Sequence, residues 1–180
     1  MPGPAFLVGD RVSLRTIEEE DLDFLHTHIN DPAVWRGIDR SRPVTLDAER
    51  EFLEGVRNAA DAVHLLVAAE STPLGVVSFD PIDWQARVAE LGYWIAPDHQ
   101  GEGYGTDAVE LFVAYGFDQL GLHKLSATVY AFNDPSIRLL ERLGFVREGT
   151  DRDAVFVDGE RHDTHWYGLL AREWRAAREK

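Results

Sequence analysis

The 180-residue chain carries 32 acidic against 18 basic side chains, a formal net charge of −14, with 44% hydrophobic residues and no cysteine. That charge excludes general binding to nucleic-acid phosphates, which needs a basic footprint, and the missing cysteine excludes disulfides, thiol nucleophiles and cysteine-based zinc sites. No run approaches the roughly 20 apolar residues of a membrane helix, so neither nucleic acid nor membrane is an expected partner. The N-terminal MPGPAFLVGDR has no basic region followed by a long apolar segment, and the cytoplasm is the expected compartment. Lys124 and Lys180 are the only lysines. An acid-rich, lysine-poor surface fits a salt-rich cytoplasm, where screening removes self-repulsion, or simply a GC-rich genome.

Arg11–Ile17 alternates apolar and polar residues as a half-buried strand does. Glu18–Ile29 follows as a helix, with Leu22, Leu25 and Ile29 in register and acids in its first turn. Asn30-Asp31-Pro32 ends it. Thr45 to Asn58 reads as a second helix capped by Thr45. His64–Ala69 and Leu74–Phe79 form a hairpin through Ser71-Thr72-Pro73, and Ala86–Ile95 is a further strand. Thr106–Leu120 is a helix with Val109, Phe112, Val113 and Phe117 on one stripe. Lys124–Phe132 is a strand. Asp134, as capping acid, and Pro135 open a helix to Leu143 that Gly144 stops. Ala154–Val157 and Arg161–Leu170 flank the hairpin dipeptide Asp158-Gly159, and Arg172–Lys180 is a short charged tail with helical character. The order β-α-α-β-β-β-α-β-α-β-β predicts one α+β domain over 1–180, with a core from about 11 to 170 and a mostly antiparallel sheet.

His99–Asp107, HQGEGYGTD, joins a strand to a helix through glycines at every second position. Amides at a helix N-terminus have no internal partner, the helix dipole adds partial positive charge, and missing side chains let a phosphate approach. The segment therefore reads as a phosphate or pyrophosphate site, the alternative being a loop whose glycines only make the turn. Thr106-Asp107 stands where a nucleotide P-loop needs Lys-Ser/Thr, and G-x-G-x-G is not the G-x-G-x-x-G of dinucleotide folds.

Gln100-x-x-Gly103-x-Gly105 resembles the Q/R-x-x-G-x-G/A signature of the GCN5-related N-acetyltransferases. GYWIAPDHQGEGYGTDAV with AFNDPSIRLLERLGFVREG downstream is similar to the branch that includes RimJ and RimL, and the likeness runs from about Val12 to Leu170. It implies a GNAT-type fold with a mixed, mostly antiparallel central sheet, a splayed strand pair and flanking helices. It also implies acetyl transfer from acetyl-CoA to a primary amine, by direct attack in a ternary complex. The acceptor would be a protein N-terminus or a small amine such as a polyamine, an aminoglycoside or an amino acid. A non-catalytic acyl-CoA sensor is the alternative. Dimers are common in the family, and nothing in this sequence marks a dimer face.

By the same resemblance Gln100, Gly101, Gly103, Tyr104, Gly105 and Thr106 hold the diphosphate. Trp94 and Ile95 offer the open strand edge to the pantetheine arm, as in strand addition, and Asn133 contacts that arm. Asn133 is equally well placed as a turn residue before a helix. An attacking amine must lose a proton. Glu90 is the candidate base, on the strand before the loop where many relatives carry a carboxylate, and partly desolvated among Val88, Leu91 and Trp94. A solvated strand residue, or an ion pair with Arg87 or another arginine, is its structural alternative. Relatives often protonate the leaving thiolate with a tyrosine, but the matching position here is Leu140. Ser136 fills the small-residue position to which the RimL-like branch assigns that role, or is an ordinary first-turn residue. A backbone amide near Ile95 would take the oxyanion.

His26 and His28, like His162 and His165, have spacings that point each pair apart, so no metal is expected. Trp84, Tyr93, Trp94, Trp166 and Tyr167 read as sheet packing, with one or two free to line an acceptor channel. Asp151, Asp153, Asp158 and Glu160 form either a solvated acidic surface or a lure for a cationic amine. Family acceptor contacts map to Asp31–Val44, including Trp35 and Arg36, and to Val157–His165.

Overall fold

Eight strands and six helices emerge in the computed structural model, which describes residues 2–38 and 40–179. Asp39, inside the expected acceptor segment, and Lys180, at the end of the expected tail, lie outside the described residues. In chain order the elements are β1 (Ala5–Val8), β2 (Ser13–Arg15), α1 (Leu22–Ile29), α2 (Pro32–Trp35), α3 (Leu46–Asn58), β3 (Val63–Ala69), β4 (Thr72–Asp83) and β5 (Val88–Ile95). Then follow α4 (Tyr104–Asp118), β6 (Lys124–Tyr130), α5 (Asp134–Arg142), β7 (Val146–Val157), β8 (Glu160–Leu170) and α6 (Ala171–Arg178).

Most expected elements are present, with shifted ends. Only Ser13–Arg15 of the first expected strand is paired, and a 3-10 turn, Glu19–Asp21, precedes α1. Thr45 caps α3 through Ala48 N. Four points differ from the sequence reading. β1 and the single-turn α2 carry too few residues to show a period. β7 starts at Val146, eight residues before the expected Ala154, because this edge strand is polar, exposed and twice bulged, which erases the alternation. The cap of α5 is Asn133, whose Oδ1 accepts from Ser136 N at 3.3 Å; Asp134 is the first helical residue instead.

The strands form one sheet in the order β1-β2-β3-β4-β5-β6-β8-β7. Every neighbouring pair is antiparallel except β5 with β6. The parallel pair holds only from Val88↔Lys124 to Glu90↔Ser126. Beyond Glu90, β5 stays on β4 as far as Ile95↔Gly75, while β6 pairs with β8 as far as Tyr130↔Thr164. Residues 91–95 thus lose their partner on one side, and the sheet opens into the expected splay.

Alternation along the strands divides the core. Leu91 and Ile95 of β5 pack with Leu125, Ala127 and Val129 of β6 under Val109, Phe112 and Val113 of α4. Trp94 of β5 joins Leu66 and Val76 under Leu22, Leu25 and Leu53 of α1 and α3. On the α4 side, Phe79 and Phe112 stack with ring centroids 3.9 Å apart. Gly116 lets that stack approach, since a Cβ there would lie 2.8 Å from the Phe79 ring. Phe112→Ala should cost about 3–5 kcal/mol, read as a lowered urea midpoint at unchanged slope.

Candidate active site

Where β5 and β6 part, a cleft of about 1530 Å³ opens between the sheet, the loop before α4 and the start of α5. All eleven residues singled out from the sequence line it: Glu90, Trp94, Ile95, Gln100, Gly101, Gly103, Tyr104, Gly105, Thr106, Asn133 and Ser136.

The glycine loop enters α4 through left-handed backbone. Gly101 has φ +78° and Gly103, the N-cap, has φ +88°, conformations that side chains resist. The first intrahelical bond is Asp107 N to Gly103 O, so the amides before it have no acceptor within the helix. A Cβ on Gly101 would meet nothing within 4 Å, which leaves open space over the backbone. The Gln100 side chain does not reach outward. Its Nε2 donates to Ile95 O at 2.8 Å and ties the loop to the end of β5. The loop fits a diphosphate bound by amides and dipole.

It also has a basic residue that the sequence reading did not foresee. Arg11, 91 positions upstream of Glu102, donates Nη2 to Glu102 O at 2.9 Å and pairs Nη1 with Asp107 at 2.9 Å. Its guanidinium lies 4.8 Å from the centre of the Tyr104 ring. Only the folding of β1 and β2 against α4 creates this arrangement, so no local pattern announces it. Arg138 and Arg142 of α5 and His99 line the cleft as well.

The two-residue period of β5 puts Glu90 and Tyr93 on opposite faces. Glu90 shares the α1–α3 side with Trp94, whose ring stacks on Phe24 at 5.8 Å. It makes no ion pair with Arg87, whose guanidinium lies near the Trp84 ring and the Leu120 carbonyl. Tyr93 packs with the α4-side core, and its hydroxyl lies 2.5 Å from Ser136 Oγ. Burial pushes the Tyr93 phenol up to about 12, against a smaller downward pull from Ser136. Leu140 is buried in the core.

Among the described residues of the two expected acceptor segments, the first contributes Ala33, Val34, Gly37 and Ile38, and the second Thr164. Trp35 is not in the lining, and Arg36 pairs with Asp158 at 3.2 Å, joining the two segments. The expected acidic cluster is split. Asp158 is taken by Arg36, while Asp151 reaches the cleft and accepts from Trp166 Nε1 at 2.9 Å. Asp80 lines it too, accepting from His64 Nε2 at 3.0 Å. Burial holds the His64 ring below its ordinary value despite Asp80, so the ring offers a hydrogen bond without a balancing positive charge. Asp80, Glu90 and Asp151 thus face the cleft from the sheet, while His99 lies at the loop and Arg138 and Arg142 lie on α5 together with Glu141.

Residues 11–146 match the model of the acetyltransferase (GNAT) domain. The chain belongs to the GNAT acetyltransferase family. It is 30% identical over 174 residues to YdaF of Bacillus subtilis strain 168, named as a candidate ribosomal N-acetyltransferase, covering 93% of this chain and 95% of that protein. The structure of spermidine N-acetyltransferase from Vibrio cholerae, in complex with CoA and spermine, superposes with a TM-score of 0.88 at 26% identity, over 93% of this chain and 99% of that one. RimL, a ribosomal L7/L12 α-N-protein acetyltransferase solved with coenzyme A, shares the fold at a TM-score of 0.84 and 20% identity, over 93% of this chain and 98% of that one. As a GNAT protein the chain is an acyl-CoA-dependent N-acyltransferase, with acetyl-CoA as acyl donor. The RimJ/RimL resemblance agrees with these relatives. Arg11→Ala should raise the KM for acetyl-CoA roughly 5- to 20-fold, the loss of one to two charge-assisted hydrogen bonds, with kcat within about twofold; initial-rate kinetics check this.

Proposed function

We propose that the chain transfers an acetyl group from acetyl-CoA to the primary amine of a small polycation by direct attack in a ternary complex. The parting of β5 from β6 beyond Glu90↔Ser126 carries this reading, because it brings a diphosphate cradle, a carboxylate and a hydroxyl to one cleft. Acetyl-CoA supplies the acyl group as an activated thioester. The amides from Gly101 to Thr106 and the α4 dipole hold the diphosphate, with Arg11 bracing the loop. The edge of residues 91–95, freed from β6 and with its Ile95 carbonyl held by Gln100, takes the hydrogen bonds of an extended amide-bearing arm.

Glu90 accepts one proton of the incoming ammonium, directly or through one water, so that the nitrogen lone pair is free to form the C–N bond; the second proton leaves the nitrogen for solvent as the tetrahedral adduct collapses. Ser136 donates a hydrogen bond to the sulfur that leaves with the electron pair of the broken C–S bond. The two groups work from opposite sides of β5. The acceptor approaches from the α1–α3 side, where Asp80 and Asp151 add negative charge. A molecule with several ammonium groups suits that lining, and the relative crystallised with spermine supports the choice. A protein N-terminus is the second reading, favoured by the 30% identity to YdaF.

Turnover of acetyl-CoA in the presence of spermidine, N-terminal peptides and aminoglycosides separates these acceptors, and spermidine should give the highest kcat/KM. Higher efficiency on a peptide would select the second reading; no turnover with any amine, despite acetyl-CoA binding, would select a sensor. Glu90→Gln should lower kcat at least about 100-fold while the calorimetric Kd for acetyl-CoA stays within about twofold. Gly103→Val should abolish coenzyme binding. It forces a β-branched residue to φ +88° and sets a Cβ 3.1 Å from Arg11 Nη1.

A further inference from the structure

The hydroxyl of Ser136 does not stand alone. Its backbone is fixed by the Asn133 cap at 3.3 Å, and its Oγ lies 2.5 Å from Tyr93 Oη. The same phenol oxygen is 3.4 Å from the Ser136 carbonyl oxygen. A phenol is a better donor and a poorer acceptor than an aliphatic hydroxyl, because its lone pair is drawn into the ring. Either hydroxyl can donate across the 2.5 Å contact; the stronger donor character of the phenol favours Tyr93 as donor, which frees the serine's own proton. Both residues line the cleft, so a proton not directed at Tyr93 can point into it. A first-turn serine without such a partner turns its hydroxyl to local backbone groups instead.

We propose that Tyr93 is a positioning residue: by donating to Ser136 Oγ it directs the serine O–H into the cleft, at the departing sulfur. This rests on the reading that Ser136 faces that sulfur. No proton leaves Tyr93. Burial pushes the phenol up to about 12, which holds its proton on the oxygen. The pair lends hydrogen bonds, and the sulfur takes its proton from solvent after the C–S bond has broken. Leu140 gives the cleft no hydroxyl from α5, so β5 contributes the phenol.

A double-mutant cycle on the full chain tests this. Ser136→Ala should lower kcat about tenfold, Tyr93→Phe about fivefold, the loss of roughly one hydrogen bond, with the KM for acetyl-CoA within about twofold. In the Ser136→Ala background, Tyr93→Phe should cost nothing further. An undiminished kcat in Tyr93→Phe overturns the proposal, and so does an equal loss in both backgrounds, which would mark a role in packing alone. If Ser136→Ala keeps full turnover while Glu90→Gln does not, the placement of Ser136 fails and the proposal with it, but the assignment as an acetyltransferase stands. Should Tyr93→Phe not fold, 3-fluorotyrosine at position 93 keeps the shape and the donor. It should retain kcat near neutral pH and show an alkaline fall, as its lowered ionisation removes the donor, that the unmodified enzyme lacks; the absence of that fall overturns the proposal.

Discussion

Strand β5 keeps only one of its two neighbours for its whole length. It needs β4 on one side to hold the sheet together, and after Glu90 it gives up β6 on the other. Backbone donors and acceptors are obligatory hydrogen-bonding groups, so the stretch from Leu91 to Ile95 is a standing demand for partners. The glycine loop, the start of α4 and the start of α5 are all arranged around that gap, and the cleft exists because of it. Were the two strands to zip together as far as Ile95, neither the loop nor Ser136 would border a shared space.

A chain with a net charge of −14 must still accommodate a polyanionic donor. Helix-end amides do this without side-chain charge, and Arg11 offsets Asp107 at the loop itself. The basic lining sits at His99 and on α5, where Glu141 also borders the cleft and accepts from the Tyr167 hydroxyl, and the carboxylates Asp80, Glu90 and Asp151 come from the sheet. The cleft is thus polarised although the molecule is acidic overall. On the proposed reading, one end receives phosphates and the other receives ammonium groups, and the excess of acid serves the second without defeating the first.

Much of this was legible in the sequence because the signals were local. Three glycines before a helical stripe, a proline-led helix after Asn133 and the Asp158-Gly159 hairpin all speak through neighbouring residues, and the first two mark residues that line the cleft. What was hidden depends on distance or on weak periodicity. Arg11 meets the loop only after β1 and β2 fold against α4. β7 hid its first eight residues because an exposed, bulged edge has no buried face to impose alternation. Asn133 rather than Asp134 caps α5, a one-residue difference that composition cannot decide when both can accept. Tyr93 is one of five aromatics that composition marks as sheet packing or channel lining without choosing between them, although counting three residues from Glu90 along a strand turns it to the opposite face, against the α4-side core.

That count of three also bears on how such a chain can change over time. Substitutions between Glu90 and Tyr93 alter chemistry or size but leave each side chain on its own face. Gaining or losing a single residue there would swing carboxylate and phenol to the same side of the sheet, a change no later point replacement nearby could undo. Drift in this stretch is therefore open in spelling and closed in length.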